Sequence, residues 1–360
     1  MRKLASVRVV SEIRPIVGAD AIECVVVDGW TVVSKKGDFK AGDKCVYFEI
    51  DSVLPEREAY EFLRKSCYVK RDWIEGFRLR TAKFRGQLSQ GLVLPLDAVK
   101  EAVDAYVAAG SPDLSVERFD LTEILEVQKW DPPLPAQLAG LVRGYFPSFI
   151  RTTDQERCQN MVDEIFGVNL SARWEVSVKL DGASMTVYRN ADDNGVCSRN
   201  LSLKLEDDAN SFVSTAKRMK LVEALAIVKQ NIALQGELMG PSIQGNREKL
   251  RRAEFFLFDI FDIDASCYLP PYQRQNLVTQ IVAAQRSLGV AEDDLIKHCP
   301  VLHSGITLND LGIKVLDDLI KLADGPSLNA AIREGLVFKR ADGRVSFKAI
   351  SNQFLLKYEE

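Results

Sequence analysis

Six short stretches carry the residues in this chain that could do chemistry. Lys179 stands in Lys179-Leu180-Asp181-Gly182, at the end of a strand-like run. Ser198-Arg199-Asn200, Gly236-Glu237-Leu238, Phe258-Asp259, Glu334-Gly335-Leu336-Val337-Phe338-Lys339 and Ser346-Phe347-Lys348 follow in that order. A lysine attacks phosphorus only as the neutral amine, and a free pKa of about 10.4 leaves few reactive copies at neutral pH. Partial burial or a neighbouring cation lowers that value. Trp174, Val176 and Val178 alternate ahead of Lys179, and Asp181-Gly182 forces a tight turn. The amine is therefore expected at the mouth of a cleft with its stem packed. Alone, Lys-x-Asp-Gly reads as a surface lysine in a β-turn; with the other stretches in order, Lys179 is a candidate nucleophile.

The elements that must hold these residues fall into two patterns. Residues 1–100 read as short strands at Ser6–Val10, Ile22–Val27, Trp30–Ser34, Cys45–Ile50, Phe77–Phe84 and Gly91–Leu94, broken by the turn signals Asp28-Gly29, Gly37-Asp38 and Ala41-Gly42-Asp43. Such strands in about a hundred residues suggest a small barrel. Residues 97–128 read as a short helix and a polar connection. Pro132-Pro133-Leu134-Pro135 is stiff and can join neither a helix interior nor a central strand. The expected division is 1–100, a linker 101–140, and 141–360. The last part mixes strands (Trp174–Lys179, Ser184–Arg189, Ala233–Leu238, Glu254–Ile263, Gly335–Lys339, Val345–Ala349) with helices (Thr153–Phe166, Ser211–Gln230, Pro271–Leu288, Leu311–Ala323). Period-two alternation puts Phe256 and Phe258 on one face, so one cleft-facing aromatic is expected.

Composition narrows the partners. The 360 residues are 46% hydrophobic and 27% charged, enough for two or three cored domains. A net charge of −4 does not announce nucleic acid, but residues 61–90 carry a net +5. Arg64, Lys65, Lys70, Arg71, Arg78, Arg80, Lys83 and Arg85 there face only Glu61, Asp72 and Glu75. A phosphate-binding surface and a solvated sheet face are both open readings of that run. The seven cysteines are irregularly spaced without Cys-x-x-Cys, which points to reduced thiols in a cytoplasmic setting, with neither zinc nor a disulfide frame. Only His298 and His303 could serve histidine chemistry, and no run approaches a membrane span.

The ordered motifs resemble the covalent nucleotidyltransferases, the polynucleotide ligases and capping enzymes. The resemblance implies an α+β chain: a nucleotidyltransferase (ATP-grasp-like ligase) domain of antiparallel sheets and helices, preceded by a small OB-like barrel. It implies that Lys179 carries a nucleotide through a phosphoramidate bond, and that Val178, Asp181 and Gly182 line the nucleotide site. Arg199 would contact ribose or an incoming terminal phosphate, Glu237 the ribose hydroxyls, and Phe258 would stack on the purine. Glu334 would hold a divalent cation, Mg2+ or Mn2+. Lys339 and Lys348 would flank the phosphates. Ser346 departs from the Lys-x-Lys pattern common in ligases, so one phosphate-binding lysine is missing or is supplied from elsewhere, with Lys357 and Arg344 as candidates.

Domain order selects within the superfamily. The sequence ends twelve residues beyond Lys348, so no OB domain is expected to follow, while an OB-like region precedes the motifs. With Phe146-Pro147-Ser148-Phe149, Thr153–Asn160 and Gly240–Asn246, this layout resembles the nick-sealing RNA ligases with an N-terminal OB module (the RNA ligase 5 branch). The implied reaction is ATP-dependent sealing of 3′-hydroxyl/5′-phosphate nicks in duplex RNA, or in a duplex containing RNA, by a monomer. Arg78, Arg80, Lys83 and Arg85 become candidates for tracking the phosphate backbone, with Arg78 and Arg80 on one strand face. The alternatives are a DNA ligase, a capping-type guanylyltransferase, or an RNA-end-binding module that has lost catalysis.

Overall fold

A computed structural model describes residues 3–106, 116–130, 142–168, 171–191 and 193–358. The chain divides into two compact units, Met1–Leu134 with Leu355–Glu360, and Pro135–Phe354. The Pro132–Pro135 stretch lies outside the described residues.

The N-terminal unit is built on β-sheets. A five-stranded sheet runs in the order Leu92–Pro95, Lys44–Phe48, Ala5–Pro15, Ile22–Val27, Trp30–Lys35. A four-stranded sheet runs Gln128–Lys129, Ser52–Leu54, Ile74–Arg78, Tyr68–Arg71, and Thr81–Phe84 pairs with Gln87–Gln90. β-Branched and aromatic residues supply the inner faces: Val25, Val27, Trp30, Val32 and Tyr47 in one cluster, Val7, Val46, Phe48, Leu54 and Phe77 in another. Part of the segment expected to link the domains belongs to this core. Val103, Leu121, Leu125 and Val127 are buried in the second cluster beside Val99, because apolar residues spaced through a polar stretch still gain by leaving water. The expected strand Phe77–Phe84 is two strands, which part at Leu79 and Arg80 and pair with different partners.

The second unit holds two sheets. The larger has the order Val142–Tyr145, Leu201–Leu203, Asp193–Cys197, Ala183–Asn190, Ile232–Met239, Glu254–Asp262, Cys267–Tyr268, with Lys297–His298 added parallel to Glu254–Asp262. The five-stranded sheet runs Glu156–Arg157, Ser346–Ile350, Gly335–Arg340, Trp174–Lys179, Val301–Ile306. Trp174, Val176, Leu336, Phe338, Phe347 and Ala349 fill its apolar face, with Leu319, Ile320 and Ala323 from the helix Leu316–Ala323.

Three expected helices differ from the structure. Thr153–Phe166 is not one helix. Glu156–Arg157 pairs parallel with Phe347 and Lys348, and 310 and π turns follow at Cys158–Met161 and Glu164–Val168. A long-range strand pair overrides the local helical pattern there. Ser211–Gln230 is two helices, Ser211–Arg218 and Leu221–Val228, separated where Lys220 takes a left-handed φ of 47°. The last begins at Leu316 rather than Leu311, while Pro271–Ser287 matches its expected span but for one residue.

Candidate active site

Lys179 ends the strand Trp174–Lys179. Across the ladder Lys179 lies opposite Gly335 and Glu175 opposite Lys339; one strand further, Lys348 lies opposite Val337 and Ser346 opposite Lys339. Period-two alternation therefore sets Glu175, Ser177, Lys179, Lys339, Ser346 and Lys348 on one face, away from the apolar core. On the far side of Lys348, Arg157 is its direct parallel neighbour.

The nucleophile candidate is closed in by carboxylates. Lys179 Nζ donates to Glu334 Oε2 at 2.6 Å, with side chains 25% and 19% exposed. The Gly182 N–H donates to Glu237 Oε1 at 3.0 Å. Two glycines make this approach feasible: a Cβ at Gly182 would strike the Leu238 carbonyl, and one at Gly335 the Ala349 carbonyl. Asp181 is ion-paired to Arg247, whose guanidinium also donates to the Gln244 carbonyl at 2.9 Å. Arg247 sits in a loop where Ser242, Gln244, Asn246 and Lys249 all adopt left-handed φ.

Electrostatics differ from the simple expectation of a depressed lysine. Burial pushes the Lys179 amine down, but Glu334 and Glu237 outweigh it and hold it above its ordinary value. Burial pushes the Glu237 carboxyl up to about 7, against the attraction of Lys179 and with added repulsion from Glu334. Lys348 falls to about 8, through burial first and then through Lys179 and Arg157. The ligand-free pocket thus keeps Lys179 protonated and paired.

The remaining motif residues separate into two groups. Arg199 is at the rim, ion-paired with Asp154 at 2.6 Å, both more than half exposed. Phe258 is partly buried against Val178, Leu180, Met239, Phe256 and Cys299. Lys339 lies with Phe258 rather than with Lys179. Its Nζ pairs with Asp259 at 2.8 Å, donates to the Phe258 carbonyl, and lies 5.6 Å from the Phe258 ring centre. A phosphate-flanking role for Lys339 therefore meets a geometry that holds it buried beside an aromatic wall. Arg344 is exposed in the turn before Ser346, and Lys357 lies 5.0 Å from the Tyr358 ring in the last helix. Besides Lys179, Arg157 adjoins Lys348; motif reading passed over it because Glu156-Arg157 looks helical by local pattern.

Comparison with known proteins decides the family. An RNA ligase family model matches residues 172–358, and an OB-fold domain model matches residues 4–96. Comparison with curated proteins finds no match. Among solved structures, a lysine-to-methionine variant of Naegleria gruberi RNA ligase with AMP and Mn is 48% identical. It superposes with a TM-score of 0.83, over 99% of each chain. The same organism's RNA ligase with pyrophosphate is 48% identical with a TM-score of 0.81, over 100% of this chain and 99% of that one. A lysine-to-alanine variant with ATP and Mn is also 48% identical, with a TM-score of 0.83 over 99% of each chain. The chain belongs to the RNA ligase family. The ligase is accordingly an α+β protein with an N-terminal OB fold ahead of its catalytic unit.

The ligase's donor set suits a hard cation. Glu334 and Glu237 are oxygen donors beside Lys179, and no group of three or more His, Cys, Asp or Glu side chains among the described residues forms a closed metal cage. Such a site fits Mg2+ or Mn2+, which keep waters and bind substrate phosphates through one or two carboxylates.

In the OB unit the expected basic strand face is absent. Arg78 stacks 4.2 Å over the Trp130 ring, Lys83 donates to the Leu356 carbonyl, and Arg80 and Arg85 are exposed on the following hairpin. Arg64 is paired with Glu56 and Glu61, and Lys70 with Glu75, so part of the local +5 is neutralised. No helix of the described residues is long and apolar enough to cross a membrane.

Proposed function

We propose that the ligase forms a lysyl-AMP on Lys179 from ATP with release of pyrophosphate, transfers the AMP to a 5′-phosphate at a nick with release of the free lysine, and seals the nick by attack of the adjacent 3′-hydroxyl, with AMP leaving. The observation that carries this is the Lys179–Glu334 pair at 2.6 Å, on a turn closed by Gly182 and Glu237. Each step is an in-line displacement, so catalysis is mainly positioning and charge stabilisation. Glu334 would hold a divalent cation, whose positive charge would neutralise phosphate and favour the neutral form of the Lys179 amine. Glu237 orients the ribose, Phe258 stacks on the base, and Arg199 is freed from Asp154 to meet a terminal phosphate. Lys348 and Arg157, paired across adjacent strands, bind the remaining phosphates, and Arg157 supplies the second cation that Ser346 does not.

The substrate is a duplex nick with RNA on the 3′-hydroxyl side, held partly by the OB unit through Arg80 and Arg85. Only RNA offers a 2′-hydroxyl and an A-form minor groove at the break. The ligase acts as a monomer in a reducing compartment; the seven irregularly spaced cysteines without Cys-x-x-Cys support the compartment. The test uses matched nicks that differ only in the last few sugars of the 3′-hydroxyl strand. Faster sealing of ribose ends supports the reading, and equal rates with deoxyribose ends overturn it in favour of a DNA-type ligase.

A further inference from the structure

The catalytic unit holds a second charged cluster that the adenylation chemistry does not use. Arg274, on the helix Pro271–Ser287, is fully buried at 0% exposure. One Nη donates to Glu175, and Nε donates to His298 Nε2 at 3.0 Å. His298 Nδ1 contacts the Cys299 carbonyl at 2.7 Å, which places the proton on Nδ1 and leaves Nε2 as the acceptor. The other Nη lies 3.6 Å from Asp259 Oδ1, too far for a hydrogen bond. Asp259 in turn holds Lys339. Glu175 and Lys339 belong to the five-stranded sheet, Asp259 and His298 to the larger one, so a single guanidinium ties both sheets together.

Buried ion pairs contribute little net stability, and a hydrophobic set of equal volume often does as well. What this cluster provides is placement. Gln235 pairs with Asp259 and Gly236 with Leu257, which leaves Phe258 as the extra residue of a β-bulge. A bulge frees a side chain from the ladder and re-aims it, often beside an active site. Lys339 grips the carbonyl of that bulged residue and sets its ammonium over the ring.

We propose that Arg274 is a positioning residue for base recognition: its ion pair with Asp259 at 3.6 Å and its hydrogen bond to Glu175, which lies across the ladder from Lys339, fix the groups around Lys339, and with them the bulged Phe258, in the pose that receives the purine. This rests on the reading that Phe258 stacks on the base. The experiment measures KM for ATP and the maximal rate of adduct formation in Arg274→Lys, in the paired Glu175→Met/Arg274→Met variant, and in Phe258→Leu. The paired variant removes both charges at once, so no buried carboxylate is stranded, and its thermal melt checks that it folds. The expected result is a KM raised about tenfold, with the maximal rate within about threefold, the signature of lost ground-state binding. An unchanged KM in the folded paired variant overturns the proposal. Where that variant fails to fold, Arg274→Lys decides, because it keeps the charge and loses the planar fork: a raised KM supports the brace and an unchanged one overturns it. Phe258→Leu separates the two layers. A raised KM there with unaffected Arg274 variants rejects the brace alone; an unchanged KM there rejects the base-stacking reading and the brace with it.

Discussion

In the catalytic unit Lys339 and Arg274 lie at 5% and 0% side-chain exposure, each against a carboxylate, whereas in the OB unit Arg71, Arg80 and Arg85 are exposed. Those three carry no ion pair among the described residues. The same charge serves two purposes. A buried cation fixes geometry, and removing one partner leaves the other stranded, at about 3–5 kcal/mol. An exposed cation adds to a surface potential, is screened by salt, and can be lost with small, nearly additive effects. Lys179 stands between these extremes at 25% exposure, paired at rest yet reachable by substrate.

That contrast can be tested from both sides. The largest effect is expected at Lys179→Ala, which should abolish the covalent adduct with labelled ATP, a loss of about three orders of magnitude or more. It should still seal a nick supplied already adenylated, and a persistent adduct would place the nucleophile elsewhere. Glu334→Gln keeps size and removes charge. It should slow both adenylation and sealing of a pre-adenylated nick about a hundredfold or more across a magnesium or manganese titration; near-normal rates would refute the metal role.

pH gives the next contrast. Lys179 is held protonated, so adduct formation should rise with pH from 6 upward. Lys348, at about 8, loses its charge above that point, so the rise should flatten there; a profile level between pH 6 and 8 would contradict the assignment. Burial lowers His298 to about 3, with Arg274 adding to the effect. The unfolded chain then binds a proton that the folded one refuses. Stability present above the ordinary value of 6.5 should decline as pH falls toward 3, by up to about 1.4 kcal/mol per pH unit. Urea melts of His298→Gln between pH 7 and 4.5 should lack this part of the slope.

The smallest effects are expected at the surface. Arg80→Ala and Arg85→Ala should each weaken nicked-duplex binding a few-fold and reduce the salt slope by about one, without altering the ATP adduct. A loss confined to one base sequence would indicate base reading instead.

Much of the catalytic face was legible because strand alternation is a local signal. Trp174 and Val176 turn into the apolar core while Val178 packs beside Phe258, Lys179 lies at the strand's end, and the strand Trp174–Lys179 matches its expected bounds. The same alternation places Glu175 beside Lys339, but a lone glutamate in a strand gives no hint that its partner is Arg274, 99 residues away on a helix. Arg157 was hidden by Thr153-Asp154-Gln155-Glu156, which imitates a helix start, while its true partner strand lies almost two hundred residues later. Lys220 breaks a helix in left-handed conformation without the glycine that would announce it. Pattern reading recovers what neighbours in sequence decide; it misses what distant partners impose.

The pairing of Lys179 with Glu334 also bears on how the enzyme ages. Cyanate, acetyl phosphate and reactive aldehydes modify only neutral amines. An ammonium held against a carboxylate at 2.6 Å is a poor target for them, so Lys179 should be carbamylated by cyanate more slowly than the exposed lysines of the chain.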